Sequence, residues 1–126
     1  MGIRRANRGI VLALPDSTLK AVLTERLRQR GWHVWRAASN CELRKLTSTH
    51  FPAVVVVAAE GRDESGWLTC AKLLRAQPRL RVVLVGWDDP EAVELARFVG
   101  AEALIAPETD PNDLIAEIEE TTAVFA

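Results

Sequence analysis

The chain has 126 residues, of which 48% are hydrophobic and 26% charged, and its net charge is −1. One domain of this length buries roughly two-thirds of its unfolded surface, so it needs no disulfide or metal to fold. The near-neutral charge gives no general attraction to nucleic acid or to an anionic membrane. Residues 1–8 form a small basic arm that we interpret as a solubilising tail. The domain itself is predicted to span 9–122, followed by a short tail, 123–126.

The two cysteines, Cys41 and Cys70, carry no metal-binding signature. Neither belongs to a CxxC pair or lies near paired histidines, so zinc is not expected. Every apolar run is shorter than the roughly 18 residues of a membrane-spanning helix, and the N-terminus lacks the apolar core of a signal peptide. We therefore expect a cytoplasmic protein with reduced cysteines, no metal and no cofactor.

Short apolar runs alternate with helical patterns along the whole chain. The predicted strands are 9–14, 32–37, 53–58, 81–86 and 103–106. The predicted helices are 16–31, 39–50, 67–77 and 110–122, and the segment 87–100 is predicted to be a loop followed by the fourth helix. The first helix can be capped by Asp16 or Ser17, and Gly31 ends it because glycine adopts a positive φ without strain. Asp89 followed by Pro90 marks the start of the fourth helix.

This alternation predicts a three-layer α/β domain built from five βα units. Uniformly apolar strands are typical of a parallel sheet that is covered by helices on both faces. Ligands of such sheets bind beyond the carboxyl ends of the strands. The segments in which a site is expected are therefore 14–17, 58–63, 86–89 and 106–109.

Those segments contain none of the common catalytic or nucleotide-binding motifs. The chain has no GxGxxG, no GxxxxGK[ST] and no GxSxG sequence. His33 is expected to be an exposed residue of an edge strand, and His50 a loop residue before Pro52. Neither is expected to be catalytic, and we predict that the protein is not an enzyme.

The order and spacing of several segments resemble one family. The run from "VLALPDS" to Gly31-Trp32 resembles the first βαβ unit of response-regulator receiver domains, which are CheY-like. "FPAVVVVA" is similar to their third strand, Gly66 to the glycine that opens their third helix, and "GAEALIAP" to the segment around their fifth strand. The resemblance extends from about Arg8 to Thr121. It implies the flavodoxin-like fold with strand order 2-1-3-4-5.

The residues that perform phosphoryl transfer in receivers do not carry over to this chain. The acidic pair that holds Mg²⁺ falls on Leu14 and Pro15, the phosphate-accepting Asp on Ala58, the Ser/Thr on Gly86, the Lys on Ala106 and the aromatic switch residue on Leu104. A methyl group has no lone pair with which to attack phosphorus, and Mg²⁺ requires oxygen ligands. The resemblance therefore implies a degenerate receiver, or pseudo-receiver, that is not phosphorylated.

Acidic and aromatic residues at the same rim leave alternatives open. Asp16, Glu60, Asp63 and Asp88 could retain a vestigial cation site, although a helix cap at Asp16 and a solvated loop around Glu60 and Asp63 are sufficient to explain these residues. Trp87, together with Trp67, either packs at the rim or fills the former phosphate site.

Without the transfer chemistry, the surfaces of the fold remain. We expect a phosphorylation-independent protein-interaction or dimerisation module in two-component, phosphorelay signal transduction. The expected surface combines the fourth helix, fifth strand and fifth helix, with candidate residues Glu94, Arg97, Leu104, Asp113 and Glu117. Arg97 could pair with Asp113 or Glu117 of a second copy.

The alternative is a small-molecule sensor that binds a ligand in the altered apolar pocket. The residues expected to line this pocket are Leu14, Pro15, Ala58, Gly86, Trp87 and Ala106. Direct binding to nucleic acid or to a membrane is not expected. The chain is either a complete protein or a piece of a longer one.

Overall fold

The computed structural model describes residues 7–61 and 63–123. Its strands are β1 (Gly9–Ala13), β2 (His33–Arg36), β3 (Val54–Ala58), β4 (Arg81–Val85) and β5 (Ala103–Ile105). Its helices are α1 (Thr18–Gln29), α2 (Asn40–His50), α3 (Gly66–Ala76), α4 (Pro90–Val99) and α5 (Pro111–Ala123). Every element overlaps the segment that the sequence predicts for it.

The five strands form one parallel sheet in the order β2-β1-β3-β4-β5. β1 lies between β2 and β3, with Ile10 opposite Val54. The β-branched and aliphatic side chains of β1, β3 and β4 are buried on both faces, which is typical of central parallel strands. The predicted doubly wound, flavodoxin-like fold and its strand order are confirmed.

Alternate strand residues face two separate apolar layers. One layer packs α1 and α5 against the sheet through Leu27 and Ile118, which meet Ile10 on β1. The other layer brings Leu43 of α2 and Leu73 of α3 onto the opposite face, together with residues of α4. Because each buried aliphatic side chain contributes about 1.5–3 kcal/mol, these two layers are the main source of stability.

Helix ends follow the capping signals in the sequence. Ser17, rather than Asp16, caps α1: its side chain accepts a hydrogen bond from the backbone N–H of Lys20 at 3.3 Å. Asp89 caps α4, with Pro90 as the first helical residue, as predicted. Gly31 adopts a φ of 88° just after α1, which confirms its predicted role.

His50 does not lie in a loop, contrary to the prediction. It is the last residue of α2, and its ring stacks on Trp35 with 4.3 Å between centroids. His33 stacks on the same indole from β2, also at 4.3 Å. The helix then ends at Phe51, whose φ of 48° turns the chain. The predicted end of the second helix at residue 50 was right. The stacking of His50 on Trp35 joins residues that are distant in the sequence, so local patterns did not predict it.

The basic arm and the short tail fall partly outside the described residues. Residues 1–6 of the arm and 124–126 of the tail lie outside the residues that the structure describes. Arg8 is packed onto the domain, because its guanidinium lies 4.6 Å from the ring centroid of Trp32 and donates to the carbonyl oxygen of Arg30. Within 7–61 and 63–123, no helix combines the length and the apolar character needed to cross a membrane.

Candidate functional site

A cavity of about 220 Å³ lies at the carboxyl ends of β1, β2 and β3. It is bordered by the loops that follow these three strands, and it includes the point where neighbouring β1 and β3 send their chains to opposite faces of the sheet. Doubly wound folds bind ligands at this switch point. The cavity is therefore the candidate site, and we call it the crevice.

Hydrocarbon lines the crevice at the ends of β1 and β3. Leu14 is only 5% exposed and Ala58 is half-buried, and both line the cavity together with the exposed Pro15. Three of the six positions that the resemblance singles out are thus brought together. None of their side chains carries an oxygen atom that could attack phosphorus or bind a metal.

The β4 side of the crevice is closed. A Cβ atom added to Gly86 would lie 2.7 Å from the Cβ of Ala59, so the Ala59 methyl group occupies the space that a side chain at 86 would need. Ala59 is held there by two backbone bonds: its N–H donates to the carbonyl oxygen of Val85, and its own carbonyl oxygen accepts from Gly66. The described residues that line the cavity do not include Gly86 or Ala106. The predicted single pocket from Leu14 to Ala106 is therefore corrected to a smaller one.

Trp87 does not fill the crevice. Its side chain is 70% exposed and does not line the cavity. Trp67 is half-buried and packs against the apolar layer beneath α2, α3 and α4. The hypothesis that the two indoles occupy a former phosphate site is therefore replaced by rim packing for Trp67 and exposure for Trp87.

The acidic residues of the rim are used in different ways. Asp16 is 90% exposed and lies 3.3 Å from the ammonium of Lys20 and 4.0 Å from the guanidinium of Arg36. Asp63 accepts the backbone N–H groups of Asn40 and Cys41, the first two residues of α2, at 3.2 and 2.9 Å, and these bonds lower its pKa.

The remaining rim acids do not complete a metal site. Glu60 lines the crevice with an exposed side chain, and Asp88 is exposed outside it. Within 7–61 and 63–123, no three His, Cys, Asp or Glu side chains are grouped so that they could hold a metal ion.

A buried lysine in the crevice was missed by the sequence analysis. Lys20 is only 3% exposed, and its Nζ donates to the carbonyl oxygen of Ala37 at 3.0 Å and to Asp16 at 3.3 Å. Buried lysines are rare unless they are paired, so a lysine in an amphipathic helix is normally assigned to solvent. The i, i+4 spacing from Asp16 was the available signal.

A second candidate surface lies on α4. Glu91, Glu94, Leu95 and Phe98 are all exposed, and Phe98 is 87% exposed. Their spacing places them on one side of the helix, which we call the α4 stripe. The sequence analysis named Glu94 and Arg97 of this helix but missed Phe98, although the four-residue spacing between Glu94 and Phe98 was visible.

The other predicted interface residues surround this helix in different environments. Leu104 of β5 is half-buried and packs against the layer beneath α4. On α5, Asp113 is exposed and Glu117 half-buried, and the exposed Arg97 lies on α4 beside the stripe. Glu102, before β5, lies 3.5 Å from Arg81. The face is therefore mainly acidic, with its large exposed apolar groups on α4.

The solved structures that this chain resembles include response-regulator receivers. The chain is similar over 94% of its length to a CheY-like receiver domain protein from Methanospirillum hungatei, with a TM-score of 0.86, 21% identity and 95% of that chain covered. A putative response regulator from Chloroflexus aurantiacus gives a TM-score of 0.82 at 20% identity, covering 93% of this chain and 98% of the other. The BeF3-activated receiver domain of Klebsiella pneumoniae RstA gives 0.80 at 20% identity, covering 90% and 97%.

These likenesses establish the receiver fold. No protein-family model and no curated protein matches the chain.

Proposed function

We propose that this chain is a response-regulator receiver domain that does not undergo phosphorylation and acts through contacts with other proteins. The likeness to receiver structures along nearly the whole chain supports its place in two-component, phosphorelay signalling. The observation that carries the proposal is the hydrocarbon lining of the crevice, where Leu14, Pro15 and Ala58 stand at the ends of β1 and β3.

The remaining carboxylates are poorly suited to replace the missing chemistry. Asp63 is bonded to two backbone N–H groups at the start of α2, and Asp16 is engaged by Lys20 and Arg36. A nucleophilic carboxylate needs a metal or another cation to neutralise the phosphoryl charge as it develops. Lys20 Nζ already donates to Ala37 and Asp16. The proposed domain is therefore not an enzyme.

The surface proposed to act instead is the α4–β5–α5 face. Its exposed Phe98 is a large apolar group flanked by the carboxylates of Glu91 and Glu94. Aromatic anchors surrounded by polar residues are typical of interface centres. A protein partner with an apolar and basic surface is complementary to this face, and a second copy of the chain is one such partner to be tested.

A phosphodonor assay tests the loss of chemistry. The protein is incubated with acetyl phosphate and Mg²⁺ beside an active receiver as positive control, and its intact mass is measured. We expect the positive control to gain about 80 Da, the mass of one phosphoryl group, and this chain to gain nothing. A species heavier by that amount that disappears with hydroxylamine, which cleaves acyl phosphates, would overturn the proposal.

A second candidate function is small-molecule sensing in the crevice. The observation that favours it is the buried ammonium of Lys20 at the wall of an otherwise partly apolar cavity. A ligand with one hydrogen-bond acceptor and a small apolar body matches this lining. In a thermal-shift screen with small carboxylic acids and amides, such a ligand raises the unfolding temperature of the wild type but not of Lys20→Met. A screen without any stabilising compound rules this candidate out.

A further inference from the structure

A groove of about 410 Å³ runs between α2 and α3, on the face of the sheet that also carries α4. It is lined by the apolar residues Leu73 and Ala76 and by the cations Arg44, Lys45 and Lys72. No acidic side chain is among the described residues that line it. The volume falls within the range of pockets that hold drug-sized molecules, about 300–1,000 Å³, so it has room for a large side chain.

One carboxylate beside the groove neutralises only part of its charge. Glu64 lies 2.5 Å from the ammonium of Lys72 and 3.9 Å from the guanidinium of Arg44. Its side chain is largely buried, whereas those of Arg44 and Lys72 remain accessible. Lys45 adds a third positive charge on the α2 side. The groove therefore offers an apolar floor between positively charged walls.

The α4 stripe has the opposite properties. Leu95 and Phe98 project apolar side chains from the same side of α4 as the carboxylates of Glu91 and Glu94. An amphipathic helix of this kind docks its apolar residues in a groove, while the flanking charges meet those of the groove walls. The chain thus carries both an acidic, apolar helix face and a basic, apolar groove.

These two surfaces cannot meet within one molecule. α3 packs against α2 on one side and against α4 on the other, so it separates the groove from the stripe. We propose that the α4 stripe of one copy docks in the α2–α3 groove of a second copy, with Phe98 as the anchor. The proposal rests on the proposed function, since it names the partner of the α4–β5–α5 face.

This contact joins two different patches and is therefore heterologous. When two copies have joined, one of them still has a free stripe and the other a free groove. Association therefore continues head to tail unless the assembly closes into a ring. The contact is expected to weaken as salt rises, because the charged rims are exposed to solvent. A symmetric dimer through α4, with Arg97 facing Asp113 or Glu117 of the second copy, would instead stop at two copies.

A mixing experiment distinguishes the two arrangements. The stripe variant is Leu95→Ser/Phe98→Ser, and the groove variant is Lys45→Glu/Ala76→Glu. The matched controls are Phe51→Asn, which removes an exposed phenyl group outside both surfaces, and Arg79→Glu, which makes one of the same charge reversals in a loop. Circular dichroism verifies that all variants fold, and sedimentation velocity from about 10 µM to about 1 mM measures their mass.

We expect the wild type and both controls to grow beyond two copies with concentration. Each surface variant alone is expected to associate about 30-fold or more weakly, as for the loss of an interface hot spot. Mixed together, the two variants should form a pair that stops at two copies, because one intact stripe meets one intact groove. A wild type that stays monomeric throughout, or a mixture that stays monomeric, overturns the proposal.

The same variants separate this inference from the proposed function. If the wild type is monomeric but the stripe variant no longer captures another protein that binds the wild type, the α4–β5–α5 face still acts and only its occupant is wrong. If the stripe variant changes neither self-association nor capture, the proposed function fails as well.

Discussion

Gly86 and Ala59, which directly follow β4 and β3, lie close together on the β4 side of the crevice. The methyl group of Ala59 points at the space beside Gly86, where an added Cβ would be only 2.7 Å away. A serine or threonine at 86 would need the same space, because it carries the same Cβ atom. A side chain at position 86 would therefore compete with the methyl group of Ala59 for the same space.

The substitution Gly86→Ala tests this competition. We expect it to lower the free energy of unfolding by about 1–3 kcal/mol, because overpacking a buried site forces backbone or side-chain shifts. The measurement is urea denaturation of the wild type, Gly86→Ala, Ala59→Gly and the double variant. The double variant should be less destabilised than the sum of the single variants, since Ala59→Gly vacates the space. Additive losses would show that the two positions do not compete.

At the scale of elements, Glu64 connects the start of α3 to the body of α3 and to α2. Its carboxylate accepts a hydrogen bond from the hydroxyl of Thr69 at 2.7 Å and pairs with Lys72, while Arg44 approaches from α2 at 3.9 Å. Its backbone carbonyl oxygen accepts from the side chain of Asn40 at 2.7 Å. The hydrogen bonds from Lys72 and Thr69 hold the pKa of Glu64 below its ordinary value.

This lowered pKa predicts a contribution to stability that depends on pH. Because the folded state favours the ionised carboxylate, the contribution is fully present above the ordinary glutamate value of 4.5 and is lost as the pH falls through the lower pKa of the folded protein. Glu64→Gln should therefore be less stable than the wild type at about pH 7, by about 1 kcal/mol. The difference should shrink towards about pH 3.

Urea denaturation of both proteins across this range measures the difference. Glu42→Gln, which removes an exposed carboxylate in the first turn of α2, is the matched control. If the difference in the free energy of unfolding between the wild type and Glu64→Gln stayed constant with pH, the predicted contribution of the Glu64 carboxylate would be wrong.

The sequence predicted the elements well because their signals are local. The valine run 54–57, the Asp89-Pro90 start of α4 and the positive φ at Gly31 each depend on neighbours in the chain. The crevice was only partly predictable. That Leu14 and Ala58 come together follows from the parallel sheet, since strand ends meet at one edge. The closure of the β4 side by Ala59 depends on a contact between distant residues, which no local pattern contains.

The same distinction explains the residues that were missed or misplaced. Lys20 is buried, and its ammonium donates a hydrogen bond to the carbonyl oxygen of Ala37, which follows β2. The residues next to Lys20 in the sequence do not indicate this contact. Trp87 was expected at the pocket because it follows β4, but the side-chain direction of a loop residue is not fixed by its neighbours. The exposure of Phe98 was predictable from helical spacing, because Phe98 lies on the same side of α4 as Glu91 and Glu94.

At the scale of the whole molecule, the fold surrounds a crevice whose lining is mixed. Leu14, Pro15 and Ala58 stand at the ends of β1 and β3, and the charged residues Asp16, Lys20, Glu60 and Asp63 line the rest. Five parallel strands and two apolar layers bury the aliphatic side chains that stabilise the domain. Receivers that hold a divalent ion at this edge need several oxygen ligands from different loops. Here Asp16 forms ion pairs with Lys20 and Arg36, and Asp63 accepts hydrogen bonds from the first two backbone N–H groups of α2. A change in Mg²⁺ concentration should therefore leave the whole domain unaffected.

Thermal unfolding with and without Mg²⁺ tests this expectation on the intact chain. A ligand that binds the folded state with a Kd of about 1 mM adds about 1.4 kcal/mol at about 10 mM, which is a shift of a few degrees for a domain of this size. We expect no such shift for the wild type when NaCl of equal ionic strength is the reference. Pro15→Asp/Ala58→Asp adds two carboxylates to the crevice, where Glu60 already lines the wall, and this variant should gain a Mg²⁺-dependent rise. A rise of several degrees in the wild type would show that the rim acids bind the ion despite their present partners, and the loss of metal-dependent chemistry would then have to be abandoned.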